Sequence, residues 1–479
     1  MRVKTCLVLV LAVLGSRPAA AQSSKPPAVT AFVHVNVIPM DRERVLPDQT
    51  VLVRDGRIAD LGDAAKVKVP AGAQKIDGRG KYLVPGLMDM HVHLFSDEDF
   101  PKRLAGDELM INLANGVTTL RLMNGTPEHL ALRAQVARGE LVGPTLYVAS
   151  PQLTGRASGK HFNGHLVTTP AEAREAVRKS KADGYDFIKL TNFITRSVYD
   201  AAVETAQALG IRVVGHVDTQ VGVARALEVG QQIEHLDGYL ESVLRDDSPI
   251  KTSLSDIHVF RRENWDSLDY IDEGKIQRIA QATAKAGVYS TPTLTFWKIT
   301  FGTGASDEEI RGRPDYRFIP APTRAAWEAA GQRIWASPPS EARRQKYLRV
   351  RNQLVKAIFD AGGKIMAGSD TPDWFLLYGW TLHRELQNLV EAGLSPYAAL
   401  AAATRNPAEF LRALDTVGTI ERGKRADLVL LDASPLDDIA NTEKRAGVMA
   451  RGRWLPEPEL RKTLDAIAVR FQQASPPAK

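Results

Sequence analysis

The chain has 479 residues, a formal net charge of +6, 25% charged residues and a single cysteine, Cys6. That length excludes a peptide-sized module and suits two or three structural units, or one barrel of about 250 residues with additions. One cysteine excludes an intramolecular disulfide, so stability has to come from packing and from bound metal.

The first 21 residues read separately from the rest. Arg2 and Lys4 precede the apolar run CLVLVLAVLG, and Ala19, Ala20 and Ala21 offer a small-residue cleavage site. This is the pattern of a secretory signal peptide, and it predicts a periplasmic or secreted product. The run is too short to span a bilayer and no later one approaches about 18 residues, so no membrane anchor is expected after cleavage. Cleavage would remove Arg2, Lys4 and Arg17 and no acid, lowering the charge from +6 to +3. So small a surplus gives no reason to expect a nucleic-acid partner.

Residues 22–84 contain VTAFVHVNVIPM, TVLVRDGRIADLG and AQKIDGRGKYLV, short alternating strands separated by Asp/Gly turns. The same texture returns in GTIERGKRADLVLLDAS and AGVMARGRWL. Residues 414–479 are therefore expected to complete a small β-sandwich with residues 22–84, followed by a terminal helix over 460–471 and a frayed ASPPAK tail.

Between the two ends, residues 85–413 repeat one unit: a helix-patterned segment, a glycine, then a short apolar or β-branched run. LANG precedes VTTLRL, RGELVG precedes PTLYVAS, KADG precedes YDFIKL, QALG precedes IRVVGHV, LEVG precedes QQIEHL, AKAG precedes VYSTPTL, and DAGG precedes KIMAGSD. Glycine accepts the left-handed geometry that stops a helix, so each marks a C-terminal cap leading into a strand. Thr169 before Pro170, and Ser197 before VYDAAVETAQAL, mark helix starts. With GLMDMHVHL these make eight strands, which predicts an α/β fold, a (β/α)8 TIM-like barrel closed by right-handed crossovers. Two connections are long, 237–272 and 296–340, the second carrying Trp297, Trp327 and Trp335. As loops after strands they are candidate walls or lids, although the tryptophans can equally pack the insertions to the body.

The strand ends hold the chemistry. His91 and His93 close GLMDMHVHL, Lys189 lies in FIKL, His216 in VVGHV, His235 in QIEHL and Asp370 in MAGSD. Singly, either later histidine could be a satisfied core residue, Lys189 could reach solvent, and Asp370 could cap a turn. Six ionisable groups in the C-terminal halves of five strands are hard to explain that way, because barrel enzymes assemble their sites there and a lysine among Phe187, Ile188 and Leu190 is costly to desolvate. Four imidazoles and a carboxylate suit Zn²⁺, with Mn²⁺, Co²⁺ or Ni²⁺ as alternatives.

The run from GLMDMHVH through GHVD, IEHLDGYL, AGSDTP, ATRNPA and GTIERGKRADLVLL resembles the amidohydrolase superfamily, in particular its imidazolonepropionase-like and Xaa-Pro dipeptidase-like branch. The resemblance implies two divalent metal ions, one held by His91, His93 and Asp370 and the other by His216 and His235. It further implies a CO₂-derived carbamate on Lys189 between them, which would turn a buried ammonium into an anionic ligand. A shared hydroxide would attack a small-molecule amide, with Asp370 as the catalytic proton carrier. Tyr239 in HLDGYL resembles a family tyrosine placed near the substrate's carboxylate or oxyanion, and Arg121 in TTLRLMNG lies where relatives commonly have Arg-Asp; no acid follows here, which leaves it a bare candidate for a carboxylate clamp. His161 and His165 lie in KHFNGH, where relatives often carry Gly-Gly-His-Gly, a departure that puts their roles in doubt. The expected activity is cleavage of a C–N bond in a dipeptide such as Xaa-Pro or in an N-acyl amino acid. The alternatives are a cyclic imide or lactone hydrolase, a mononuclear deaminase (which the bridging lysine argues against), or a metal-free binding protein. A homo-oligomer is left open.

Overall fold

The computed structural model describes residues 29–94, 105–157, 164–250, 262–302, 310–334 and 338–473. The proposed secretory segment with Cys6, His161, Trp335 and the ASPPAK tail lie outside them. The N-terminal strands are β1 (Val29–Val37), β2 (Leu46–Arg54), β3 (Arg57–Asp63), β4 (Gln74–Asp77) and β5 (Tyr82–Pro85). The middle of the chain supplies β6 (Leu87–Val92), β7 (Val117–Leu122), β8 (Thr145–Val148), β9 (Gln152–Thr154), β10 (Gly164–Leu166), β11 (Phe187–Leu190), β12 (Arg212–Gly215), β13 (Gln232–Glu234), β14 (Tyr289–Thr291) and β15 (Lys364–Ile365). The last three are β16 (Leu428–Leu431), β17 (Arg445–Ala450) and β18 (Arg453–Pro456).

Both chain ends meet as the alternating strands predict, but in one sheet. The order is β18-β17-β16-β5-β1-β2-β3 with β4 beside β1, and the weld is the antiparallel β5–β16 ladder, in which Val84 faces Val429. Two separate facing sheets, the expected sandwich, are not defined by these hydrogen bonds, because that ladder runs the N-terminal strands directly into the C-terminal ones. Phe32, Val35, Val51, Leu428, Leu430 and Met449 form its buried face.

The middle strands form parallel sheets with helices between them, β6-β7-β8 and β10-β9-β11-β12-β13-β14-β15. Isolated parallel bridges, Ala149 with Phe187 and Val92 with Thr371, join the two sheets at both sides. The second junction carries hydrogen bonds from Asp370 N to His91 O (2.7 Å) and from His93 N to Thr371 O (2.6 Å).

Alternation along these strands decides what faces where. On β11 and β12, Ile188, Leu190 and Val213 pack against the helices Pro170–Asp183 and Arg196–Ala208, burying Val177, Val198 and Ala202. Phe187 and Val214 point the other way, among Met88, Met90 and Met366. Lys189 shares the face of Phe187. The first of these helices starts as predicted: Thr169 and Glu172 make a reciprocal capping box around Pro170, and Gly184 ends it at φ 89°. The second differs. Its N-cap is Thr195, in extended backbone, and Ser197 lies inside the first turn. Trp297 packs its insertion to the body, edge-on to Tyr347 of the helix Glu341–Asp360. Trp327 packs edge-on to Phe375.

Gly215 ends β12 at φ 125°, and a Cβ there would lie 2.2 Å from Leu190 O, beside the bond from His216 N to Leu190 O. Gly215→Ala is therefore expected to lower unfolding stability by roughly 1–3 kcal/mol, the usual range for overpacking and left-handed strain, read from denaturant midpoints. An unchanged midpoint would mean that β11 and β12 are not held this closely.

Candidate metal centre

His91, His93 and Asp370 offer ligand atoms within 4.8 Å of one another. Asp370 Oδ1 lies 3.3 Å from His91 Nε2 and 3.4 Å from His93 Nε2, and its Oδ2 lies 3.8 Å from His235 Nδ1. The rings continue as a chain: His91 to His235 is 4.6 Å between centroids, and His235 to His216 is 4.8 Å, nearly stacked. Lys189 Nζ is buried without a hydrogen-bond partner among the described residues. The charges acting on it come from Glu234, Asp370, Arg121 and Asp237.

Electrostatics keeps the donors in ligating form. Burial pulls the His91 and His235 imidazoles well below their ordinary value, against the nearby Asp370 carboxylate, which favours their charged form. Burial also pulls the Lys189 ammonium down, towards the neutral amine that reacts with CO₂. Burial alone would raise Asp370, but His91, His235 and His93 around it bring it well below the usual carboxylate range. This set fits a divalent cation: imidazole nitrogens, one carboxylate and an orphaned buried amine converge from different strands.

Hydrogen-bond partners hold three of the four rings, the kind of support that metal-ligating histidines use. His91 Nδ1 donates to Glu234 Oε2 (2.7 Å), and Glu234 Oε1 accepts from Arg121 Nη2 (2.6 Å). His216 Nδ1 is 2.7 Å from Asp237 Oδ2, and His235 Nδ1 is 2.8 Å from Thr293 Oγ1. Burial pushes Asp237 up to about 8 and Asp89, which accepts from the backbone of His91 and Ser369, up to about 7. His235, Leu236, Thr293 and Asp370 all have left-handed backbone, with φ of 57°, 56°, 47° and 57°. Each such non-glycine residue stores roughly 1–3 kcal/mol, which concentrates strain at the strand ends that carry the chemistry.

Among the expected substrate readers the structure gives other environments. Arg121 is fully buried, with Nε donating to Met90 O (2.6 Å), Nη1 to Gln232 (2.7 Å) and Nη2 to the Glu234 carboxylate (2.6 Å), so the carboxylate it clamps is the protein's own. The Tyr239 hydroxyl is buried and lies 2.8 Å from Thr283 Oγ1 on the helix Glu273–Ala286. His165, on β10, has Lys179 and Asp183 as its charged neighbours, not the metal cluster. Sequence reasoning missed Glu234, Asp237, Asp89, Arg351 and Glu385. A signal existed for several: Gln232 and Glu234 alternate on one face of β13, and Arg351 interrupts the buried stripe Tyr347, Val350, Leu354, Ile358.

The parallel sheets and the convergent histidine and carboxylate ligands define the class of protein, and the comparison with known families names it: residues 82–455 match the Amidohydrolase family model, and the chain belongs to that family. An imidazolonepropionase of Cupriavidus taiwanensis is 33% identical over 188 residues, 34% of this chain and 45% of that protein, so the match spans under half of that relative. An imidazolonepropionase of Micrococcus luteus is 26% identical over 434 residues, 81% of this chain and 89% of that one. The structure of a Xaa-Pro dipeptidase with bound methionine in the active site superposes at a TM-score of 0.62 and 20% identity, over 89% of this chain and all of that one, which speaks for the fold.

Removing one member of a fully buried ion pair strands the other's charge. Arg121→Met is expected to destabilise the metal-free protein by about 3–5 kcal/mol, and adding Glu234→Gln should restore much of the loss. Unfolding midpoints of the single and double variants test this. A single variant as stable as the wild type would show that the pair does not hold His91 in place.

Proposed function

We propose that the chain is a metal-dependent hydrolase cleaving the C–N amide bond of a small molecule, a dipeptide such as Xaa-Pro or an N-acyl amino acid. On this reading β6–β8 and β11–β15 act as one (β/α)8 barrel, its seams the two bridged junctions, with the active site at the strand C-termini. The observation that carries the reading is the approach of Asp370 to three imidazoles at 3.3, 3.4 and 3.8 Å.

His91, His93 and Asp370 would hold one divalent ion, His216 and His235 a second, with Zn²⁺ the best match to the donors and Lys189 joining the two as its carbamate. Such ions supply a Lewis acid for the scissile carbonyl and lower the pKa of the attacking water. Asp370 accepts that water's proton and returns it to the leaving nitrogen, which departs as an amine. Glu234 and Asp237 keep the His91 and His216 rings aimed throughout. The N-terminal pattern supports a periplasmic or secreted enzyme. Among the described residues no helix is long and apolar enough to cross a membrane.

The similarity to imidazolonepropionases supports a second reading, opening of a cyclic amide at the same centre. A release assay on N-acyl amino acids, Xaa-Pro dipeptides, cyclic imides and lactones, with metal content measured alongside, separates the two. Asp370→Asn should lower turnover by about 10²–10⁴-fold with metal content nearly intact. Lys189→Ala should lose metal along with activity. Full activity in Asp370→Asn removes the proton-transfer role, and one ion per chain with activity surviving Lys189→Ala points to a mononuclear deaminase.

A further inference from the structure

Resting on the two-ion reading, we propose that Arg351 and Glu385 are positioning residues for His235, and that together they set how tightly the His216/His235 half of the centre holds a divalent cation. The two come from outside the ring of strands, Arg351 from the helix Glu341–Asp360 and Glu385 from the helix Trp380–Glu391. Both side chains are fully buried.

His235 needs bracing because it and Leu236 are consecutive left-handed non-glycine residues. Its amide is held by Thr291 O at 2.8 Å. Its carbonyl points away from the strands and accepts a hydrogen bond from Arg351 Nη2. The guanidinium is fixed in turn: Nη1 donates to the Tyr347 hydroxyl at 3.1 Å, and the plane lies 4.2 Å from the centre of the Trp297 ring. Arg351 has no carboxylate within salt-bridge distance among the described residues. The charges that oppose its own are Asp237, which holds the His216 ring, and Glu385. One cation therefore faces the backbone of one ligand and the carboxylate behind the other.

Glu385 acts on His235 through the turn that carries its ring's partner, Thr293. Its Oε1 accepts from Leu294 N (2.9 Å), and its Oε2 accepts from Thr295 N (2.7 Å) and Thr295 Oγ1 (2.8 Å). Those contacts pin the turn that leaves Thr293 at φ 47°, and Thr293 Oγ1 is the partner of His235 Nδ1. Held at its backbone by one and through its ring's partner by the other, His235 is bracketed by two opposite charges. The His91/His93/Asp370 half has its own support, Arg121 through Glu234, and among the described residues it makes no hydrogen bond or ion pair to either residue of the bracket; Glu385 acts on it only at longer range, through the charge of Asp89. The two halves should therefore respond separately.

The test is titration of metal-free protein with Co²⁺ alone, followed by visible absorption and chelator competition, with circular dichroism and thermal unfolding of each metal-free variant. The wild type should take two equivalents. Arg351→Met should bind one as the wild type does and the other at least tenfold more weakly, and Arg351→Lys, whose ammonium can still donate to His235 O, should recover part of the loss. Glu385→Gln, nearly isosteric, should weaken the same equivalent and carries the test if Arg351→Met does not fold. Tyr347→Phe removes the other hydrogen bond of Arg351 but leaves the one to His235 O, and should weaken the same equivalent far less than Arg351→Met does. The proposal is overturned if Arg351→Met and Glu385→Gln keep both equivalents at wild-type affinity, if they weaken both alike, or if Tyr347→Phe matches Arg351→Met. A wild type that binds fewer than two equivalents refutes the two-ion reading itself, and the assignment of a second half with it.

Discussion

Everything at this centre depends on one constraint: ionisable groups taken out of water must satisfy each other. Asp370 is 8% exposed and His91 1%, and neither could be there alone. The network that makes it tolerable runs from Arg121 through Glu234 to His91, and on to Asp370 and His93. Lys189 is the one amine in the cluster with no hydrogen-bond partner among the described residues.

Parallel strands make such a network affordable to the fold in a geometric sense. Their backbone groups are consumed by the ladders, so one face is free to bury apolar side chains under the helices while the other collects charge. β11 is the clearest instance, with Ile188 and Leu190 under two helices and Lys189 on the opposite face. Where the strands stop, left-handed residues turn the chain sharply, so Glu234 and His235, though adjacent, both reach the cluster. Strict alternation would have sent one of them away. The strain is local, and the scaffold of helices beneath it is rigid enough to hold the geometry.

Much of this was legible in the primary structure. Glycine-ended helices and β-branched runs give the strand sequence, and the histidines and Asp370 announce themselves by sitting at strand ends. The pairing of the two chain ends was legible as texture, while its hydrogen-bonded form was not, because alternation cannot say whether two sets of strands face each other or join edge to edge. Tyr239 was placed near substrate by resemblance, and nothing in its local spacing announces the hydrogen bond its hydroxyl makes with Thr283. The buried role of Arg121 was not legible because its partners, Gln232 and Glu234, lie more than a hundred residues away in the chain. Tertiary partners of that kind leave no local trace.

The central claim is that side chains from five strands converge to clasp a pair of cations. Anomalous diffraction from crystals of the Zn²⁺-loaded protein, collected on both sides of the zinc edge, tests it most directly. The account predicts two peaks about 3.5–4 Å apart, one against His91, His93 and Asp370 and the other against His216 and His235, with continuous density from Lys189 between them. A single peak, or a Lys189 side chain directed away from the imidazoles, would contradict it.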